Sequence, residues 1–173
     1  MTVILIFTAT MNVLIQSRKF LKNINTKIFI NEVKDGEKQN AGSIRLTFFD
    51  IFSDKTKQFG FKAVFPSGKV LACLGDEPFN EKCRNFVQNC DYLMCEAFCL
   101  YSQKDIFKPY EKFHSTALDA GKLAESLFAK NLILYHTEDE TLQTRKRTYT
   151  SEARTVFNGN IFVPDDFEVI DLK

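Results

Sequence analysis

The 173-residue chain is 45% hydrophobic and 26% charged, and its formal net charge is +1. These totals fit one globular domain and leave little room for two; they exclude a low-complexity chain and a strong overall field toward nucleic acid. Cysteines at 73, 83, 90, 95 and 99 are odd in number and contain no C-x-x-C pair, which predicts reduced thiols in a cytoplasmic protein.

The amino end, "MTVILIFTATMNVLIQSRKF", carries an apolar run from Val3 to Ile15. That run is too short to span a bilayer and has no basic residues before it, as a signal peptide would. It reads as a core helix or strand, with a membrane anchor, or the interior of a longer domain, as alternatives. Residues 1–40 are therefore set apart from a region spanning 41–173. A short strand is expected over Lys27 to Val33, then a polar turn, then a strand in "SIRLTFFDIF". "FGFKAVFPSGKVLACLGD" reads as a hairpin around Pro66-Ser67-Gly68, and its second strand, Lys69 to Leu74, is continuously apolar as in a strand covered on both faces. A short helix fits "PFNEKCRNFVQNC", a buried strand "DYLMCEAFCL", and a long polar segment Tyr101 to Phe113.

Thr116 and Asp119 have capping-box spacing at the head of a helix predicted to Phe128, with Ala117, Ala120, Ala124, Leu127 and Phe128 on one face. "NLILYH" reads as a strand, "TEDETLQTRKRTY" as a charged loop, "TSEARTVFNG" as a second capped helix ending before Gly159, and "IFVPDDFEVIDL" as two short strands. Hairpins followed by strand–helix–strand units predict an α/β or α+β layered fold.

Four polar residues recur at strand ends or helix entries: Asp76, Glu96, His114 and His136, the last two being the only histidines. Sites collect beyond the carboxyl ends of strands in such folds. Aspartate and histidine there can ligate zinc, iron or manganese, and a histidine beside a glutamate can move protons near neutrality. Each has a plainer alternative. Asp76 in "GDEP" suits a turn, His114 a helix entry, and His136 a hydrogen-bonded strand end. Glu96 could be satisfied by a salt bridge to the Lys104 to Lys112 region.

The order of "GD" at 75–76, "EAF" at 96–98, "HSTALDAGKLAE" from 114 and "LILYHTE" from 132 resembles the carboxy-terminal part of the metallo-β-lactamase superfamily, in its RNase Z-like branch, over roughly residues 41 to 173. The resemblance implies half of an αββα sandwich, with a mixed sheet and flanking helices. It implies Asp76 and His136 as metal ligands, for Zn2+ or Fe or Mn, and Glu96 and His114 as the catalytic pair that protonates the leaving group. The implied function is metal-dependent hydrolysis of a phosphodiester or ester.

The sequence also departs from that family. The His-x-His-x-Asp-His motif is absent, Phe52 stands where a metal histidine is expected, and Cys95 replaces the first residue of the "HEAT"-like box. A phenyl ring cannot coordinate a metal, and a catalytic zinc site ordinarily needs three protein ligands and water. Little or no activity is therefore expected from this chain alone. A remnant that acts through association, with a second copy or with a missing amino-terminal half, is the alternative. Arg145-Lys146-Arg147 could touch nucleic-acid phosphates, or form an ordinary solvated loop. No membrane partner is expected.

Overall fold

A computed structural model describes residues 31–172. Among these described residues, seven strands form one sheet: β1 (Lys38–Ala41), β2 (Ile44–Asp50), β3 (Phe59–Val64), β4 (Val70–Cys73), β5 (Tyr92–Glu96), β6 (Asn131–Tyr135) and β7 (Asn160–Phe162). Their order across the sheet is their order in the chain. β1 to β4 pair antiparallel, and β4 to β7 pair parallel. The change follows from the connections. Gly42, at φ 61, sits in a two-residue hairpin turn that demands left-handed backbone. The crossovers after β4 are long enough to carry helices, and so return the chain in the same direction.

Helices are α1 (Arg84–Val87), α2 (Lys104–Phe107), α3 (Ala117–Ser126) and α4 (Arg145–Arg154). Side chains alternate across a strand, so each strand supplies both faces. One face, with Phe49, Ala72, Leu93, Cys95, Leu132 and Leu134, packs against Ala117, Ala120 and Ala124 of α3 and Tyr149 and Ala153 of α4. The other carries Leu46, Phe48, Ala63, Leu71, Tyr92 and Ile133, against which Ile170 and Leu172 of the tail also pack. No described helix contributes to that second cluster. The architecture is thus the expected α/β one: a single mixed sheet with flanking helices.

Several local expectations differ from the structure. The segment Val3 to Ile15 lies outside the described residues, as does most of the strand expected over Lys27 to Val33; residues 31–33 are irregular. The polar turn after it contains β1, whose "KQNA" is too polar to announce a strand and alternates exposed and half-buried positions. β1 begins at Lys38 and so crosses the boundary drawn at 40/41. The second helix begins at Arg145, not near Thr150, and Thr144 at its head makes no side-chain cap. Arg145-Lys146-Arg147 therefore lies on a helix rather than in a loop, where Arg145 and Lys146 pair with Asp165. After β7 the chain forms no further strand up to residue 172. All five cysteines are free thiols, four of them buried, and no described helix is long and apolar enough to cross a membrane.

Candidate metal and acid–base site

The parallel half of the sheet builds the site. Cys73 of β4 is level with Met94 of β5, which is level with Ile133 of β6. Continuing that register by three residues sets Asp76 beside Ala97 and His136. Glu96 is the last residue of β5. Three adjacent strands therefore release Asp76, Glu96 and His136 at one edge, the carboxyl edge. Backbones two strands apart are roughly 10 Å apart, so Asp76 and His136 meet by leaning toward each other over β5.

His114 arrives from the loop before α3. Thr116 caps that helix: its hydroxyl accepts from the Asp119 backbone N–H, and the Asp119 carboxylate accepts from the Thr116 backbone N–H at 3.1 Å. The cap fixes the turn of chain immediately after His114. Glu96 holds the loop from the other side, accepting from Ser115 N–H at 2.6 Å and lying 2.8 Å, through Oε2, from His114 Nδ1. The buried Glu96 is thus satisfied by His114 and Ser115, not by the lysines of the 104–112 segment.

The rings of His114 and His136 lie 4.9 Å apart, and Phe98 stacks on His114 at 5.0 Å. Asp76, His114 and His136 each offer a ligand atom within 4.8 Å of the others. His136 Nε2 is 3.0 Å from Asp76 Oδ1, yet that oxygen is shielded from solvent and receives no aligned hydrogen bond. A buried carboxylate oxygen without a donor is costly, and an oxygen and a nitrogen turned toward one space suit a cation between them. Burial acts to raise the Asp76 carboxyl, but His136 beside it, with the charges of His114 and Lys55, outweighs burial and holds it below its ordinary value. Asp76 in turn raises the His136 imidazole, against the opposing effect of burial.

His136 has left-handed backbone, φ 54, an uncommon conformation for a residue other than glycine. Phe52 is also left-handed, φ 58; its ring is half-exposed and lies under the Lys82 ammonium at 4.4 Å. It is not among the residues that converge on Asp76.

Two neighbours carried no sequence signal. Glu77, buried beside Asp76, accepts from Ser53 Oγ at 2.5 Å, Asp54 N–H at 3.3 Å and Gln58 Nε2 at 3.3 Å. This fastens the β2–β3 connection over the end of β4. Lys55, on that connection, reaches 3.5 Å from His114 Nε2. Only the adjacency of Glu77 to Asp76 hinted at either.

No family model matches the chain. Ribonuclease Z of Bacillus cereus strain AH187 is 32% identical to it over 98 residues, 57% of this chain and 31% of the relative. Ribonuclease Z of Bacillus thuringiensis strain Al Hakam matches at the same identity and coverage. The chain therefore spans 31% of the length of these curated relatives. Among solved structures, the metallo-beta-lactamase fold protein YhfI from Bacillus subtilis superposes with a TM-score of 0.64 at 20% identity, over 76% of this chain and 51% of that one. The short form of human tRNase Z gives 0.58 at 23% identity, over 78% and 46%. The fold is the metallo-β-lactamase fold, RNase Z-like over part of the chain.

Proposed function

We propose that this chain is the carboxy-terminal region of a metal-dependent hydrolase of the metallo-β-lactamase superfamily, acting on phosphodiester or ester bonds in an RNase Z-like reaction and weakly active or inactive alone. The observation that carries this reading is the convergence of Asp76, His114 and His136 at one strand edge, with Glu96 behind His114. The donor set fits a divalent ion such as Zn2+, Fe2+ or Mn2+, because it pairs a hard carboxylate oxygen with a borderline imidazole nitrogen. Asp76 Oδ1 and His136 Nε2 would hold it, and when bound it supplies Lewis-acid activation of water and of the scissile group.

The remaining steps belong to protein groups. Glu96 accepts a hydrogen bond from His114 Nδ1–H and so fixes the ring's tautomer and direction. His114, stacked on Phe98, is then oriented so that, once Nε2 has taken up a proton from solvent, it can pass that proton to the departing oxygen. Two free ligands fall short of the three that hold a catalytic zinc ordinarily, which is why weak activity is expected.

Metal titration and hydrolysis of bis(4-nitrophenyl) phosphate test this reading together. The expected result is weak binding of Zn2+ or Mn2+, with a slow rate, and both are lost in Asp76→Asn. A chain that neither binds metal nor hydrolyses the ester at millimolar metal sinks the reading. A tightly held pair of ions would instead overturn its claim of an incomplete site.

A non-catalytic role through association is favoured by one feature: the second sheet face is apolar across six strands, from Leu46 and Phe48 of β2 to Phe162 of β7, and no described helix packs on it. Sedimentation distinguishes it; a monomer at all concentrations, with no partner, counts against this role.

A further inference from the structure

Lys55 brings a positive charge to the edge of the Asp76–His136 pair. Its ammonium nitrogen is 3.5 Å from His114 Nε2 and 3.9 Å from Glu77 Oε1. Two-thirds of its side chain is covered, and its charge is felt at both Asp76 and His136. Its position is built rather than incidental. Glu77 is buried and gathers Ser53, Asp54 and Gln58, which brackets Lys55 on both sides.

The hydrogen bonding of His114 explains what the ammonium does there. A carboxylate only accepts, so the Glu96 contact at 2.8 Å places the imidazole proton on Nδ1. The lone pair is then on Nε2, and an ammonium only donates. Lys55 and Glu96 thus occupy both nitrogens of the ring.

We infer that Lys55 is a resident cation that caps the free lone pair of His114 and, standing beside Asp76 and His136, holds their metal affinity down. The inference rests on Asp76 and His136 receiving the metal as proposed above. The ammonium repels a divalent ion placed between Asp76 and His136.

The test compares the wild-type chain with Lys55→Met and Lys55→Arg, using Zn2+ and Mn2+ alone as probes in titration calorimetry. Lys55→Met should bind about tenfold tighter or more, since removal of one like charge at contact distance is worth at least that factor in a partly covered site. Lys55→Arg should stay close to wild type. A second readout needs no metal: the His114 Nε2 nitrogen resonance should move in Lys55→Met as its accepted hydrogen bond is lost, while the thermal midpoint shows the variant folded. Measurable but equal affinity in wild type and Lys55→Met, with an unmoved resonance, overturns the inference and leaves the metal reading intact. Absence of binding in both proteins overturns the two together. Binding gained only in Lys55→Met supports both.

Discussion

At the scale of single residues, His136 trades comfort for position. Its left-handed backbone costs on the order of 1 kcal/mol or more and persists because the surroundings dictate it. Asparagine tolerates that conformation better than histidine does. His136→Asn should therefore leave the thermal midpoint unchanged or raised, while metal affinity measured by titration disappears; a clear loss of stability would show that the ring itself holds the fold. Glu96→Gln makes a second prediction. The glutamine oxygen can still accept from Ser115 N–H, but its amide then donates toward His114 Nδ1. The imidazole proton should move to Nε2, and the two ring nitrogens should exchange their characteristic shifts. Asp76, Glu96 and His136 stood out in the sequence because each interrupts or closes an apolar run, and His114 because it stands just ahead of a helix with capping-box spacing. Lys55 and Glu77 were not, because their place depends on how the β2–β3 connection folds back over the end of β4, and no local pattern encodes that return.

At the scale of elements, α3 was legible and α4 was half hidden, for reasons their residues make plain. α3 has a capping box at Thr116 and an alanine face at helical spacing. α4 buries only Tyr149 and Ala153 among ten residues, and its head lacks a side-chain cap, so neither its period nor its start could be read. The two helices meet at Gly121. A Cβ there would lie 2.9 Å from the Ala153 carbonyl oxygen and 2.9 Å from Val156 Cγ2. Alanine at a helix interior normally gains about 1 kcal/mol over glycine. Overpacking against fixed backbone costs about 1–3 kcal/mol, so crowding should win. Gly121→Ala is expected to lower the melting temperature; a rise would mean that α3 and α4 separate without cost.

At the scale of the whole molecule, Asp91 stitches three strands at the edge opposite the site. Its Oδ2 accepts from Val70 N–H of β4 at 2.8 Å, its Oδ1 from Lys130 Nζ at 2.9 Å, and its backbone carbonyl from Asn131 N–H of β6 at 3.0 Å. Burial acts to raise this carboxyl, but Lys130, the Val70 N–H and Lys69 hold it below its usual range. A depressed folded pKa contributes stability that is present above the unfolded value, about 4, and is lost as pH falls through the lower folded value. Asp91→Asn should therefore unfold more easily than wild type at neutral pH, and the gap should close in acid below about pH 4; a gap constant with pH would assign the effect to shape alone. The site edge and this edge share the same parallel strands, so the order of strands matters beyond the site. Among the described residues every strand pairs only with its neighbours in the chain. No strand has to be threaded between two already joined. The antiparallel closures from β1 to β4 are short, which favours fast pairing there, while the parallel strands must wait for their longer crossovers. A nascent chain could lay down this sheet strand by strand as it emerges, with the Asp76 edge formed before the helix that delivers His114 has been made.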